Sequence, residues 1–158
     1  MKEEIELRMQ LVNNLTMRQA HMTYEDAVAG FPLEHVNTRP VNVVYSFWHL
    51  LEHLRLAQKD ILDYIVDPDY EEPDFPAGLW PALSAETDSA GWHGTIEQFL
   101  ADRQRIVDIV NNLNTDLFAQ IPHGWAGHNV LREALIVADH NAYHVGELGI
   151  LRGVMRLW

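Results

Sequence analysis

The sequence predicts an all-α protein, a four-helix bundle that occupies residues 1–158 as a single domain. Three observations predict it: apolar residues recur at helical spacing in four long segments, no segment alternates apolar and polar residues as a strand does, and two connections are short while one is long. A chain of this length buries a core without disulfides, and this one contains no cysteine. The predicted helices span residues 3–22, 42–66, 89–113 and 130–153.

The first predicted helix rests on Ile5 and Met9, which begin an apolar stripe at helical spacing. Thr23 stands three residues before Asp26, a spacing typical of a weak capping box. A short helix is therefore expected over residues 24–29, before a loop that ends near the second long helix.

The second predicted helix carries a stripe that includes Phe47 and Leu54, and the pair Asp67-Pro68 ends it. Residues 67–83 contain four prolines and an acidic run but no periodicity. They predict a long crossover connection, which would allow the helices on either side to run in the same direction.

The last two long helices have clearer N-termini. Trp92 and Phe99 mark the stripe of the third helix, for which Ser89 is the expected N-cap. Asn129 is the expected N-cap of the fourth helix, whose stripe includes Leu148.

The charge and the absent residue types exclude several classes of function. A net charge of −12 argues against duplex nucleic acid or an anionic membrane as a partner, and zero cysteine excludes thiolate metal sites and cysteine nucleophiles. The first residues lack an apolar core, and no run approaches the roughly 18 apolar residues of a membrane span. We therefore expect neither a secretory signal nor a membrane span, and a cytoplasmic location.

Nine histidines include two pairs at i,i+4 spacing, His49/His53 and His140/His144. Such a pair places two imidazoles on one helix face, close enough to share a metal ion. His144 lies about 40° and His140 about 80° from the centre of the apolar stripe, so both face the bundle or its edge.

On the second helix His53 lies about 120° from the stripe centre, at its margin, and His49 about 160°, towards solvent or a partner. His53, His140 and His144 therefore predict a metal site of three imidazoles, and an open fourth position is typical of catalytic metal sites. The alternative is that these histidines are satisfied polar groups of a core or an interface.

Glu147 shares the face of His140 and His144. It is predicted to accept a hydrogen bond from a ligand, to act as a base, or to be solvated. His-Glu-x-x-His, Glu-x-x-His and Gly-x-Ser-x-Gly are absent, which excludes the zincin, ferritin-like di-iron and serine hydrolase patterns.

The stretch from Ser46 to Gln58 resembles the second-helix motif of the DinB/YfiT-like superfamily, and that from Val137 to Leu148 resembles its fourth-helix motif. The resemblance covers the chain from about residue 40 to its end. It implies an up-down-down-up four-helix bundle that forms a homodimer. It also implies one divalent metal ion per chain, and the family's three histidine ligands map onto His53, His140 and His144.

Characterised members of this family include metal-dependent transferases of low-molecular-weight thiols such as bacillithiol. The resemblance therefore implies a transferase that uses such a thiol on a small-molecule substrate, or a metal-dependent hydrolase, with Glu147 as a candidate catalytic residue. Many members carry Gln at that position. Zinc or nickel is the expected ion, with iron and manganese as alternatives. The competing hypotheses are a non-catalytic metal-binding stress protein and a helical interaction module.

Overall fold

A computed structural model describes residues 2–158, and over that range the protein is helical without a β-strand. The all-α prediction is therefore confirmed. None of the helices in the described range is long and apolar enough to cross a membrane. The α-helices are α1 (Lys2–Thr16), α2 (Tyr24–Val28), α3 (Phe47–Val66), α4 (Ser89–Asn111) and α5 (Val130–Val154).

The core is divided into two apolar clusters along the long helices. The first joins the N-terminal halves of α3 and α4 to the C-terminal half of α5, and α2 adds Tyr24 and Ala27 to it. The second joins α1, the C-terminal halves of α3 and α4, and the N-terminal half of α5. Complete burial of one such aliphatic or aromatic side chain contributes about 1.5–3 kcal/mol, so these contacts hold α3 and α5 side by side.

The N-terminus of α3 lies at Phe47, whereas the sequence predicted a start at residue 42. Asn42 has a φ of 66°, a left-handed conformation that interrupts a right-handed helix. Ser46 instead caps the helix, because its hydroxyl accepts the backbone N–H of His49.

The other caps follow the sequence closely. Thr23 and Asp26 form the predicted capping box of α2, and Asn129 caps α5 as predicted. The cap of α4 is Asp88 rather than Ser89, a shift of one residue between two residue types that are both favoured as N-caps.

The helix predicted over residues 3–22 is shorter, since α1 ends at Thr16. Beyond it Arg18 forms an ion pair of 2.7 Å with Asp26, the residue that also closes the capping box of α2. The chain therefore leaves the helix early to place α2 against the body of the protein.

The buried face of α1 also differs from the predicted stripe. Ile5 and Met9 are 52% and 45% exposed, whereas Arg8 is buried. Its guanidinium donates hydrogen bonds of 2.6 Å to the carbonyl oxygens of Val110 and Thr115. Carbonyls at the C-terminus of a helix lack intrahelical partners, so a buried cation at this point satisfies them.

Candidate metal centre

Three histidines meet between α3 and α5. The Nε2 atom of His53 lies 3.2 Å from Nε2 of His144 and 3.2 Å from Nε2 of His140. One ligand atom from each ring lies within 4.8 Å of the other two, an arrangement that can hold a metal ion. The structure thus brings together the three residues predicted as ligands.

The outer nitrogen of two of these rings is fixed by an acceptor. Nδ1 of His53 lies 2.7 Å from the carbonyl oxygen of Leu79, and Nδ1 of His144 lies 2.6 Å from Oε2 of Glu147. A carbonyl or an ionised carboxylate only accepts, so each Nδ1 carries the proton and donates it. The Nε2 atoms of both rings are consequently unprotonated, and their lone pairs point into the centre.

Two opposed lone pairs 3.2 Å apart repel each other unless a cation lies between them. A tetrahedral zinc ion with Zn–N bonds of 2.0–2.1 Å places its nitrogen ligands about 3.3 Å apart. The spacing of the rings therefore fits a first-row divalent ion, and neutral imidazole is a suitable ligand for zinc, nickel, copper and iron.

Burial keeps the three rings neutral. It lowers the pKa of His53 and is the main cause that lowers the pKa values of His140 and His144, because an imidazolium is poorly solvated there. The neighbouring histidines also lower the pKa values of His140 and His144, since like charges would repel, and the two pKa values are about 4 as a result. At neutral pH the site is therefore in the form that binds metals.

The connection between α3 and α4 covers one side of the centre. Trp80 stacks on the His53 ring, with centroids 3.9 Å apart and planes inclined by 5°. Together with the hydrogen bond from His53 to Leu79, this contact fixes the plane of the ring. The long connection, which carries no periodic pattern in the sequence, thus orients a candidate ligand.

The prediction that His49 faces solvent or a partner is wrong, because this residue is only 1% exposed. Its Nδ1 lies 2.8 Å from the Ser46 hydroxyl, and its Nε2 lies 3.1 Å from the carbonyl oxygen of Ala82, to which it donates. The helical phase was correct, but the connection folds over this side of α3 and buries it. His49 therefore ties the connection to α3 and is not part of the cluster.

A cavity of about 340 Å³ lies against the three histidines, enough for a small molecule. Apart from the histidines its walls are mostly apolar, and Asp60 contributes a carboxylate to them. The residues that line it are His53, Ala57, Asp60, Ile61, Phe75, Pro76, Leu79, Trp80, His140 and His144.

Glu147 lies behind His144 and is not among the residues that line this cavity. Burial raises the pKa of its carboxyl group. Its position agrees with one of the predicted alternatives, in which Glu147 accepts a hydrogen bond from a metal-ligating histidine, here His144. A direct part in catalysis stays a prediction. Asn141, which lies beside His140 on α5, donates to Oε1 of Gln58 at 3.0 Å and so links α5 to α3.

Three groups at the centre or in the wall of its cavity were not predicted there: the Leu79 carbonyl, the Trp80 ring and the Asp60 carboxylate. The sequence does not show which backbone carbonyl will accept a hydrogen bond. A tryptophan in a loop belongs to no periodic pattern, so its direction could not be predicted. Asp60 could have been found from the sequence, because it stands seven residues after His53. Residues seven apart on an α-helix are two turns apart and lie on the same face.

The fold and the cluster define a class, helical proteins that can hold a metal ion through three histidines. The family model of the DinB superfamily matches residues 16–148, and the chain belongs to this superfamily of metal-binding proteins. The resemblance found in the motifs of α3 and α5 is thereby confirmed. No curated protein and no solved structure matches the chain.

Proposed function

We propose that this protein is a metal-dependent enzyme in which His53, His140 and His144 hold one divalent ion and the adjacent cavity holds a small-molecule substrate. The observation that carries the proposal is the convergence of three neutral imidazoles on the wall of a cavity with apolar sides. Structural zinc sites close their coordination shell with four protein ligands, and three ligands beside a cavity leave a position for substrate.

The reaction class that we propose is transfer of a low-molecular-weight thiol, with hydrolysis as the second candidate. When bound, a divalent ion supplies Lewis acidity, which lowers the pKa of a thiol or a water molecule that it coordinates. The Leu79 carbonyl and the Glu147 carboxylate hold the rings of His53 and His144 in the tautomer that presents Nε2. The side chains of Ile61 and Trp80 exclude water from the neighbouring wall.

Zinc or nickel is the ion that we propose first, with iron and manganese as alternatives. Three imidazoles without a thiolate or a ligating carboxylate bind several first-row ions, and occupancy then follows availability. The absence of cysteine from the chain is consistent with a thiol that arrives as substrate.

We propose that the long helices follow the up-down-down-up order. Phe47 and Trp92, in the first turns of α3 and α4, share a core cluster with Leu151 near the end of α5. This supports parallel α3 and α4 with α5 antiparallel to them. The contact of Arg8, in α1, with the carbonyl of Val110, at the end of α4, supports an α1 that is antiparallel to α4.

A homodimer stays a prediction, as does the cytoplasmic location. Ile5 and Met9 were expected in the core but are exposed on α1, and Trp158 at the C-terminus is 65% exposed. These side chains support a dimer face on α1 and the terminus, which sedimentation of the purified protein tests.

Metal content tests the proposed site directly. Protein without a histidine tag, purified without chelators, is expected to contain about one divalent ion per chain by mass spectrometry. His53→Ala and His144→Ala are expected to lose it, whereas the control His93→Ala, an exposed position on α4, should keep it. A parent protein that takes up neither zinc nor nickel would contradict the enzyme proposal.

Activity separates the enzyme from a non-catalytic metal-binding protein. Metal-loaded parent protein is expected to accelerate transfer of a small thiol to an electrophilic acceptor, and metal-free protein and His144→Ala are not. One ion per chain without turnover of any thiol or ester tested would favour the metal-binding stress protein.

A further inference from the structure

Asp60 is a carboxylate in the wall of the metal cavity, and it forms no ion pair with a Lys or Arg among residues 2–158. It is half-buried, and one of its oxygens accepts a hydrogen bond of 2.7 Å from the Tyr70 hydroxyl. The adjacent Lys59 forms its ion pair, of 2.5 Å, with Asp63 instead. The second oxygen of Asp60 therefore remains able to accept hydrogen bonds from a molecule in the cavity.

The position of Asp60 gives the cavity two chemically different ends. Asp60 lies seven residues after His53 on α3, a rise of about 10 Å along the helix axis. Between these positions the helix presents Ala57, and Ile61 lies beside Asp60. The cavity thus offers three nitrogen ligands at one end, a carboxylate at the other and apolar surface between them.

The surroundings of Asp60 favour the arrival of a positive charge. Burial raises the pKa of its carboxyl group, the hydrogen bond from Tyr70 lowers it in part, and the nearby carboxylates of Asp63 and Glu72 raise it, so that the pKa lies above its ordinary value. A cation bound at this point would relieve both the poor solvation and the repulsion. Such a hydrogen bond between ionised groups is also stronger than one between neutral groups.

We propose that the cavity selects small molecules that carry an ammonium group, with the Asp60 carboxylate as the acceptor for that group. The apolar wall takes the carbon chain, and a thiol or another metal-binding group at the far end reaches the histidine centre. This last part rests on the proposed function, whereas recognition of the ammonium group by Asp60 does not. The ligand class is then a short amphiphilic molecule with a cationic end, such as an aminothiol.

Pairs of ligands that differ only in charge test the proposal. Straight-chain aminothiols of two to eight carbons are titrated by calorimetry into zinc-loaded protein beside the hydroxythiols of the same length. At the best length we expect the aminothiol to bind about tenfold more tightly, as a charged hydrogen bond in a partly buried site provides. The best length itself measures the separation between Asp60 and the metal.

Asp60→Asn is the variant that removes the charge while its amide oxygen still accepts from Tyr70. Its preference for the aminothiol is expected to fall to about one. The matched control is Asp108→Asn, which removes a carboxylate at an exposed position of α4 outside the residues that line this cavity, and it should keep the preference. Both variants should retain metal content and helical circular dichroism.

A preference near one in the parent protein, or one that Asp60→Asn leaves unchanged, would overturn the proposal. A comparison of hexylamine with hexanol tests ammonium recognition separately from the proposed function, because neither molecule carries a thiol that requires the metal for binding. A preference for hexylamine that depends on Asp60, in protein that retains no ion, would support ammonium binding and overturn the enzyme proposal. Thiol binding to zinc without any preference for amines would do the reverse.

Discussion

One nitrogen of the His144 ring donates a hydrogen bond and the other presents a lone pair, and Glu147 determines which nitrogen carries the proton. Because Nδ1 donates to the Glu147 carboxylate at 2.6 Å, Nε2 is left unprotonated towards His53. Loss of an acceptor behind a ligating histidine weakens metal binding or activity about 10–100-fold. We therefore expect Glu147→Ala to weaken zinc binding by about that factor, measured by competition with a coloured chelator.

Glu147→Gln distinguishes positioning from direct catalysis. Its side-chain oxygen still accepts from Nδ1, so zinc affinity should return to within a few-fold of the parent value. If Glu147 acts only through His144, turnover should recover together with the metal. A variant with full zinc occupancy but little turnover would instead support the carboxylate as a participant in the reaction.

The lowered pKa values of the histidines predict the pH range over which the metal is retained. A proton competes with the metal for a histidine only near or below the pKa that this histidine has in the metal-free folded protein. That pKa is about 4 for His140 and for His144. Cobalt binding, followed by its visible absorption, should therefore be nearly constant from pH 7 to about 5, one unit above that pKa. Release with a midpoint near 6.5, the ordinary pKa of histidine, would contradict this burial effect.

At the scale of the elements, features that depend on spacing within one helix were predicted from the sequence. Features that depend on contacts between distant segments were missed. The pairing of His140 with His144 and the cap at Asn129 follow from spacing within one helix. The burial of His49 does not, because it requires knowing that the connection folds over α3 and brings the Ala82 carbonyl to it. The buried Arg8 was missed because its partners are distant in sequence, at the C-terminal end of α4 and just beyond it.

His49 makes the attachment of this connection testable. His49→Phe replaces the imidazole with a somewhat larger ring that cannot donate, so the Ala82 carbonyl loses its donor, a change that typically destabilises by about 1–3 kcal/mol. We expect this loss in urea unfolding, together with faster proteolysis within residues 67–88. His93→Phe, at an exposed position on α4, should change the free energy of unfolding by less than about 0.5 kcal/mol.

At the scale of the whole molecule, the centre joins α3 to α5 at a place where the metal-free protein is destabilised. Neutral rings bring unshared lone pairs together, and protonation is opposed by burial. Because the pKa of His140 and His144 is lower in the folded than in the unfolded chain, the unfolded chain binds more protons between pH 6.5 and about 4. The free energy of unfolding of metal-free protein should therefore fall as the pH falls through that window.

Metal binding should raise the stability of the whole fold, since only the folded chain brings α3 and α5 together at the three histidines. At a free zinc concentration a thousand times the dissociation constant, the gain is about 4 kcal/mol. For a domain of this size that corresponds to a rise of about 8–16 °C in the unfolding temperature at pH 7. His140→Ala should abolish the rise, because two remaining imidazoles bind zinc weakly, while Asp63→Asn should keep it. An equal rise in His140→Ala and in the parent would show that zinc stabilises the protein elsewhere and would contradict a centre built on these three residues.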